Sequence, residues 1–522
     1  ERFKIAKSQQ RRDKAVVLSN NKKPLNSWLY SMNWKKQRFI DSVEGFDDTY
    51  IVFCDSLGCG EIAAQKISSK NKVYLVRKGN GFSKCGEGEY VINTASESDY
   101  EMLVKDMSEQ RTVYNVLNFM CLDNIDNTEN KLENSFYGLL YFVKSFQKEN
   151  ANKENSLKIC SLAVDCYSID GTENIDPYNA GLIGLGVVIS QEYPAIKTKC
   201  VEFEAKKLCA EKIASVMLEE ALVYDEKIVA YRRNSRYFPS VEQMYAPNSY
   251  RSSAVNDGDT VVIIGGMGNV GLSLAQGISS IKKVNFVLTS THDLALNNGS
   301  ISSEKEGYIS EIEKNGSTVM LKKCNVKEDI SSVLDSVISA FGRINTVIFA
   351  AGVIGGDTLI ENTTKEMCNM QFDVKIRGLV SFAETIKKYS VDNCILTSSV
   401  SGILGGIGHS AYSASNLFMD FFAKMQNRNS NTKWITVDWD FWQFDTGREE
   451  SYIGTTAKNF ALSRDEGMCL VPMIFSLLDE EQIIISTGDL KKRYEDWVNI
   501  AANEEMNDET EYKRPELSNE YA

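Results

Sequence analysis

In the second half of the chain, short apolar runs alternate with segments whose apolar residues recur at helical spacing. The runs at 260–264, 284–289, 318–322, 346–350, 394–397, 434–438 and 482–486 are rich in Val, Ile, Leu and Thr and read as strands. Between them, stretches such as 271–280 and 379–389 place apolar residues three and four apart, which predicts amphipathic helices. Strand and helix in regular turn predict a parallel sheet with helices on both faces and a ligand site at the carboxyl ends of the strands. The first half repeats the rhythm more faintly, with strand-like runs at 50–54, 72–76 and 156–164.

Two glycine-rich turns punctuate these runs. Ile264-Gly-Gly-Met-Gly-Asn-Val-Gly271 follows the strand at 260–264 and opens a helix. Gly265, Gly266, Gly268 and Gly271, with Met267, Asn269 and Val270 between them, let the backbone approach a pyrophosphate whose charge the helix N-terminus stabilises. Phe349-Ala-Ala-Gly352 supplies a small-residue floor at Ala350, Ala351 and Gly352, and Asn325-Val326 after the third strand suits an adenine contact. At the end of the second strand, Ser290-Thr291-His292-Asp293 carries neither a clean ribose-binding acid nor a phosphate-binding arginine. The earlier turn, Gly58-Cys-Gly-Glu-Ile-Ala63, fits either a second nucleotide site or a decayed repeat kept for packing. The fold class is therefore α/β with two Rossmann-like parallel-sheet subdomains, the first a degenerate structural copy and the second carrying the chemistry.

At 522 residues the chain is too long for one core, and 43% apolar with 25% charged residues is ordinary for a globular protein. The expected division is a linker at 1–26, a structural subdomain at 27–245, a catalytic subdomain at 246–500 and a second linker at 501–522. A first residue other than Met points to a segment of something larger. No apolar run approaches the length of a membrane span and no signal peptide opens the chain, so a cytoplasmic setting away from membranes is expected. Twelve cysteines without a Cys-x-x-Cys pair argue for reduced thiols and against a metal site. Two histidines, His292 and His409, leave acid–base work to Tyr, Lys or carboxylates, and a net charge of −13 disfavours nucleic acid as a partner.

The chemistry concentrates between residues 375 and 416. Reduction of a ketone needs a hydride at carbon and a proton for the forming alkoxide. Tyr412 suits the proton donor, Lys375 is an ammonium able to favour its phenolate, and Ser399 is a second donor to the carbonyl oxygen. Asn416 lies one helical turn after Tyr412, on the same face, able to orient the lysine.

These residues resemble the ketoreductase domains of modular polyketide synthases, a branch of the short-chain dehydrogenase/reductase superfamily. Simple members carry Tyr-x-x-x-Lys, whereas this chain has Tyr412-Ser-Ala-Ser-Asn416 with the lysine upstream in Lys375-Ile-Arg-Gly378, the exchanged arrangement of the polyketide enzymes. Ser398-Ser-Val-Ser-Gly402, Asp438-Trp-Asp-Phe-Trp442 and Ser486-Thr-Gly-Asp-Leu490 are similar to that family too. In the first half, Trp28-Leu-Tyr-Ser-Met-Asn-Trp34, Ser190-Gln-Glu-Tyr-Pro194 and Val229-Ala-Tyr-Arg232 resemble its non-catalytic subdomain. The resemblance implies NADPH as cofactor, with NADH as the other candidate. It also implies a β-ketoacyl or α-ketoacyl chain on the phosphopantetheine arm of an acyl carrier protein, and neighbouring synthase domains. Leu404, Trp439, Trp442 and a lid at 443–464 would wall the substrate. Departures are Ile264 for threonine, Thr291 for arginine, Ile354-Gly-Gly356 for one stereochemical motif and Leu404 for the tryptophan of the other. A redox-inactive scaffold is the alternative reading.

Overall fold

A computed structural model describes residues 22–37, 48–109, 112–123, 128–153, 155–205, 209–246, 255–292, 301–353, 355–356, 358–444 and 460–499. The expected linkers at 1–26 and 501–522 fall mostly or wholly outside these residues. The N-terminal half contains β1 (Leu29–Gln37), β2 (Thr49–Phe53), β3 (Lys72–Lys78), β4 (Ser83–Gly86), β5 (Glu89–Ile92), β6 (Val113–Asn118), β7 (Ser156–Val164), β8 (Ile196–Phe203), β9 (Ile228–Arg232) and β10 (Ser235–Gln243). The C-terminal half contains β11 (Thr260–Ile264), β12 (Asn285–Ser290), β13 (Thr318–Lys323), β14 (Thr346–Phe349), β15 (Asn393–Ser399), β16 (Lys433–Trp439) and β17 (Gln482–Ile485).

In the C-terminal half all neighbours are parallel, in the order β13-β12-β11-β14-β15-β16-β17. The chain reverses direction across the sheet between β11 and β14, and the crevice above that switch is where a parallel sheet of this winding binds its ligand. The N-terminal half repeats the order as β5-β3-β2-β6-β7-β8-β9, with β4 added antiparallel to β5. Strands β1 and β10 pair with each other, β10 pairs with β9, and β1 pairs with β17, so the two sheets join edge to edge. Among the described residues the strands form one continuous sheet of seventeen. Joining the sheets in this way pairs edges that would otherwise be open to other chains.

The predicted strands of the C-terminal half all form, within two residues at either end. In the first half β6 and β8 escape the hydrophobic pattern because both bury polar groups. Asn115 Nδ2 donates to Asp48 at 2.9 Å. Lys199 and Glu202 of β8 lie in the core, Lys199 paired with Glu220 at 2.7 Å and Glu202 with Arg232 at 2.6 Å. Buried charges compensated by partners read as surface residues in a sequence.

Four helices carry the rest of the argument: α1 (Cys59–Ile67), α2 (Ala180–Glu192), α3 (Asn269–Ser279) and α4 (Ser410–Asn429). Helices α2 and α4 hold corresponding places in the two repeats and pack against each other across the junction. Gly184 makes this possible: a Cβ there would lie 2.9 Å from the backbone N and Cα of Ala414. Replacing Gly184 by Ala should therefore lower stability by about 1–3 kcal/mol, as overpacking does. It should also reduce activity, because Ala414 stands two residues from Tyr412. Urea denaturation and turnover of the same variant check both.

Candidate active site

The two glycine turns have diverged. In the first half, Asp55 fills the turn with its own carboxylate. Its oxygens accept from the backbone N–H of Leu57 at 3.0 Å, Cys59 at 3.3 Å and Gly60 at 2.9 Å. That buried carboxylate takes the anion position at the N-terminus of α1, where a pyrophosphate would otherwise bind. Gly58-Cys-Gly-Glu-Ile-Ala63 is thus a plugged repeat, not a second nucleotide site.

In the second half the start of α3 is capped by Gly268, with no side-chain cap and no acid in the first turn. Gly265, at φ +77°, lies so close to the end of β14 that a Cβ would sit 2.9 Å from Ala350 O and Ala351 Cα. A Cβ on Gly271 would lie 2.7 Å from Gly266 Cα, whereas one on Gly352 would meet open space. The turn therefore rests against Ala350 and Ala351, with open space beside Gly352. Thr289, which the sequence did not single out, fixes it by accepting from Gly265 N–H at 2.9 Å and, through its carbonyl, from Met267 N–H at 3.1 Å. The Met267 side chain is buried below and Val270 packs on the same core. Asn269 opens the helix at the mouth. These features fit a dinucleotide.

At the adenosine end, Ser290 Oγ accepts from His292 N–H at 3.1 Å, and Thr291 Oγ1 lies 3.3 Å from His292 Nδ1. Asp293 is outside the described residues. Lys305 reaches in from the next helix, its Nζ 2.7 Å from Met267 O. Sequence reasoning missed this cation because it lies fourteen positions beyond Thr291, where the pattern gives no register to the strand end. Asn325 Oδ1 accepts from Lys327 N–H at 3.2 Å. The Val326 side chain is buried beneath Gly378 instead of facing the adenine site.

Lys375, Tyr412 and Asn416 come together. Lys375 stands in a π-helical turn, Asp373–Gly378, of the kind often found at functional sites. Its Nζ donates to Asn416 Oδ1 at 2.6 Å, lies 3.7 Å from Met419 Sδ and sits 5.1 Å from the centre of the Tyr412 ring. Asn416 Nδ2 donates to Tyr412 O at 2.8 Å, which fixes its amide with the oxygen toward the lysine. Ser399 ends β15, and its Oγ accepts from Ser401 N–H at 3.2 Å, leaving its proton for another acceptor. The neighbouring Ser398 hydroxyl donates to Asn416 O at 3.1 Å and draws the strand end against α4. The first repeat keeps a matching π turn at Glu133–Tyr137 but has Ser135 at its third position, where the second has Lys375.

Burial lowers the Lys375 ammonium to about 8, while Asp420 and Asp438 pull it upward. Those two acids are almost wholly buried and lie within hydrogen-bonding reach of each other. Gln482 Nε2 donates to Asp438 at 2.7 Å. Burial, then the charge of Asp438, holds Asp420 well above the usual carboxylate range. Two facing carboxyls satisfy each other only by sharing a proton, so the pair carries one negative charge opposite one buried ammonium.

The expected substrate wall is different in detail. Leu404 is buried with Tyr30, Val187 and Val400, so its side chain packs on the first half and does not line an open cleft. Trp439 and Trp442 pack against each other with ring centres 4.9 Å apart and planes tilted by 52°, and Trp442 presses against Gly467, where a Cβ would lie 2.0 Å from its ring. Both are packing groups on the hydrophobic core. Of the expected lid at 443–464, residues 445–459 lie outside the described residues, as does Ile354.

Comparisons with known proteins agree with this geometry. Residues 259–444 match the family of the KR domain, and residues 50–220 match the family "Beta-ketoacyl synthase-like, N-terminal". The chain thus carries a KR domain at residues 259–444. Polyketide synthase PksN of Bacillus subtilis (strain 168) is 26% identical over 328 residues, covering 60% of this chain and 6% of that protein. Erythronolide synthase EryA3 of Saccharopolyspora erythraea is 26% identical over 328 residues, covering 62% and 10%. The chain thus spans a small part of the relatives it matches. An N-terminal ketoreductase from the macrolactin assembly line superposes with a TM-score of 0.74 at 17% identity, covering 95% of this chain and all of that one. A multidomain structure of a keto acid-selecting NRPS module, containing adenylation, ketoreductase and pseudo Asub domains, superposes at 0.79 with 19% identity, covering 93% and 41%.

With the Lys375 ammonium serving Tyr412, turnover should fall as pH rises through about 8, where Lys375 gives up its proton. Replacing Asp420 and Asp438 together by Asn removes the pair's one negative charge, which helps hold that proton, so the alkaline limb should move to lower pH. A pH–rate profile of the double variant checks the shift.

Proposed function

We propose that the chain reduces the keto group of an acyl chain to a hydroxyl, with NADPH as reductant and the substrate tethered to an acyl carrier protein through phosphopantetheine. The supporting observation is the cluster of Lys375, Asn416 and Tyr412, with Ser399 at the neighbouring strand end, beside a glycine turn left open for a dinucleotide. When bound, NADPH supplies the hydride to the carbonyl carbon. Tyr412 gives its proton to the carbonyl oxygen, so that carbon and oxygen together gain the two hydrogens of the alcohol. The Lys375 ammonium stabilises the phenolate left behind, and Asn416 holds that ammonium in place. Ser399 donates a second hydrogen bond to the oxygen as charge develops on it.

The residues around Thr291 support the choice of cofactor through Lys305, a cation at the glycine turn facing the end of β12. The carrier protein and neighbouring synthase domains follow from the polyketide synthases that the chain resembles. α-Ketoacyl chains belong in the substrate class for two reasons. One is the fold likeness to a ketoreductase in a keto acid-selecting module. The other is the glycine pair Gly355 and Gly356, at φ +116° and +85°, in place of a stereochemical motif.

Oxidation of NADPH with α- and β-ketoacyl thioesters tests the reading. Tyr412→Phe should cost on the order of 10²–10⁴-fold in rate, the worth of a positioned general acid. An unchanged rate, or no saturable cofactor binding by the native chain, would favour an inactive scaffold. For the cofactor, Lys305→Ala should weaken NADPH binding on the order of tenfold, the worth of one charge-assisted hydrogen bond, and leave NADH binding unchanged. Fluorescence titration of both nucleotides measures this directly.

A further inference from the structure

The segment 405–409 links the short helix Ser401–Leu404, which follows Ser399, to the Tyr412 helix and holds no regular structure of its own. Its glycines adopt left-handed backbone, with φ +71° at Gly405, +148° at Gly406 and +82° at Gly408. Such a segment needs its shape imposed from outside. The partners come from the C-terminal end of α2, in the half of the chain that lacks the catalytic set.

Gln191 Nε2 donates to Leu404 O at 2.7 Å and to Trp497 O at 3.0 Å, while its Oε1 accepts from Gly406 N–H at 2.7 Å. Glu192 Oε1 accepts from Gly408 N–H at 2.9 Å, and its Oε2 accepts from Ile360 N–H at 2.7 Å. Thr358 N–H in turn donates to Gly408 O at 3.0 Å, tying the segment before Ile360 to the one before Tyr412. Gln191 and Glu192 are 4% and 3% exposed, so water does not substitute for these bonds. A side chain at position 405 is also excluded, since a Cβ there would lie 2.7 Å from Gln191 Oε1.

We propose that Gln191 and Glu192 are positioning residues of the reduction: they set the shape of the two segments that rim the site and so fix how the acyl chain approaches Tyr412 and Ser399. Both act through backbone groups and touch no reacting atom. The structural half is then part of the specificity machinery, at the positions where the family's stereochemical motifs are replaced. Burial pushes the Glu192 carboxyl up to about 7, against the downward pull of its two N–H partners, Ile360 and Gly408.

This inference rests on the ketoreductase reading, and the test separates the two. Hydrogen–deuterium exchange of Glu192→Gln and Gln191→Ala should show amides in 401–412 exchanging about tenfold faster or more, the loss of one or two buried hydrogen bonds, with protection of β11 and β14 unchanged. That readout is independent of catalysis. With ketoacyl thioesters, kcat/KM should fall and the alcohol should lose configurational purity, while NADPH affinity stays at the native value. Unchanged exchange at 401–412 overturns the clamp. Parallel loss of NADPH affinity and of protection throughout the sheet also overturns it, because that is a purely structural role. Faster exchange with unaltered kinetics and configuration overturns the link to substrate approach.

Discussion

A buried ammonium governs this site. Lys375 lies within the protein, where an unpaired charge is unfavourable by several kcal/mol, yet the role proposed for it depends on its staying charged beside Tyr412. The chain meets both demands with one arrangement. The π turn pushes the lysine inward, Asn416 gives it a neutral acceptor at 2.6 Å, and the Asp420–Asp438 pair supplies a single diffuse counter-charge. A carboxylate in direct contact would hold the proton more tightly, but it would also neutralise the field that Tyr412 needs. The amide at position 416 suits that compromise better than an ion pair.

The same logic sets the two repeats apart. Both halves wind strands in the same order and both retain a π turn and a glycine turn. In the first, Asp55 satisfies the helix N-terminus with an internal anion, and the third residue of the π turn is Ser135. With its anion site filled and its ammonium absent, that half is free to specialise as a support. Its α2 contributes Gly184 to the close approach against α4, and Gln191 and Glu192 to the segments around the site.

How much of this could be read from the sequence follows burial chemistry. Strands such as β11 and β14 are buried along their whole length and apolar but for one threonine each, so their runs stand out. The glycine turn and the meeting of Lys375, Tyr412 and Asn416 were legible because spacing along a strand–turn–helix unit largely fixes such positions. Strands β6 and β8 were hidden by buried asparagine, lysine and glutamate, whose partners are remote in sequence. Lys305, Thr289, Gln191 and Glu192 were missed for the same reason: each acts on backbone atoms of another element, and backbone atoms leave no mark in a sequence. Leu404 and the two tryptophans were placed at a substrate wall by resemblance, and the structure packs them against apolar neighbours.

The edge-to-edge joining of the two sheets completes the argument. Strand β1 comes from the first residues described, yet it pairs with both β10 and β17 and so closes the first repeat against the last strand of the second. Neither repeat therefore has a free edge at the junction, and α2 and α4 are locked in register above it. That rigidity lets two side chains of one repeat shape a glycine-rich segment of the other. Gly405, Gly406 and Gly408 have little conformational preference of their own, so their geometry is as well defined as the framework that holds Gln191 and Glu192. Retaining a first repeat whose glycine turn is plugged is then understandable in physical terms: it supplies a fixed wall for the glycine-rich segment of the second.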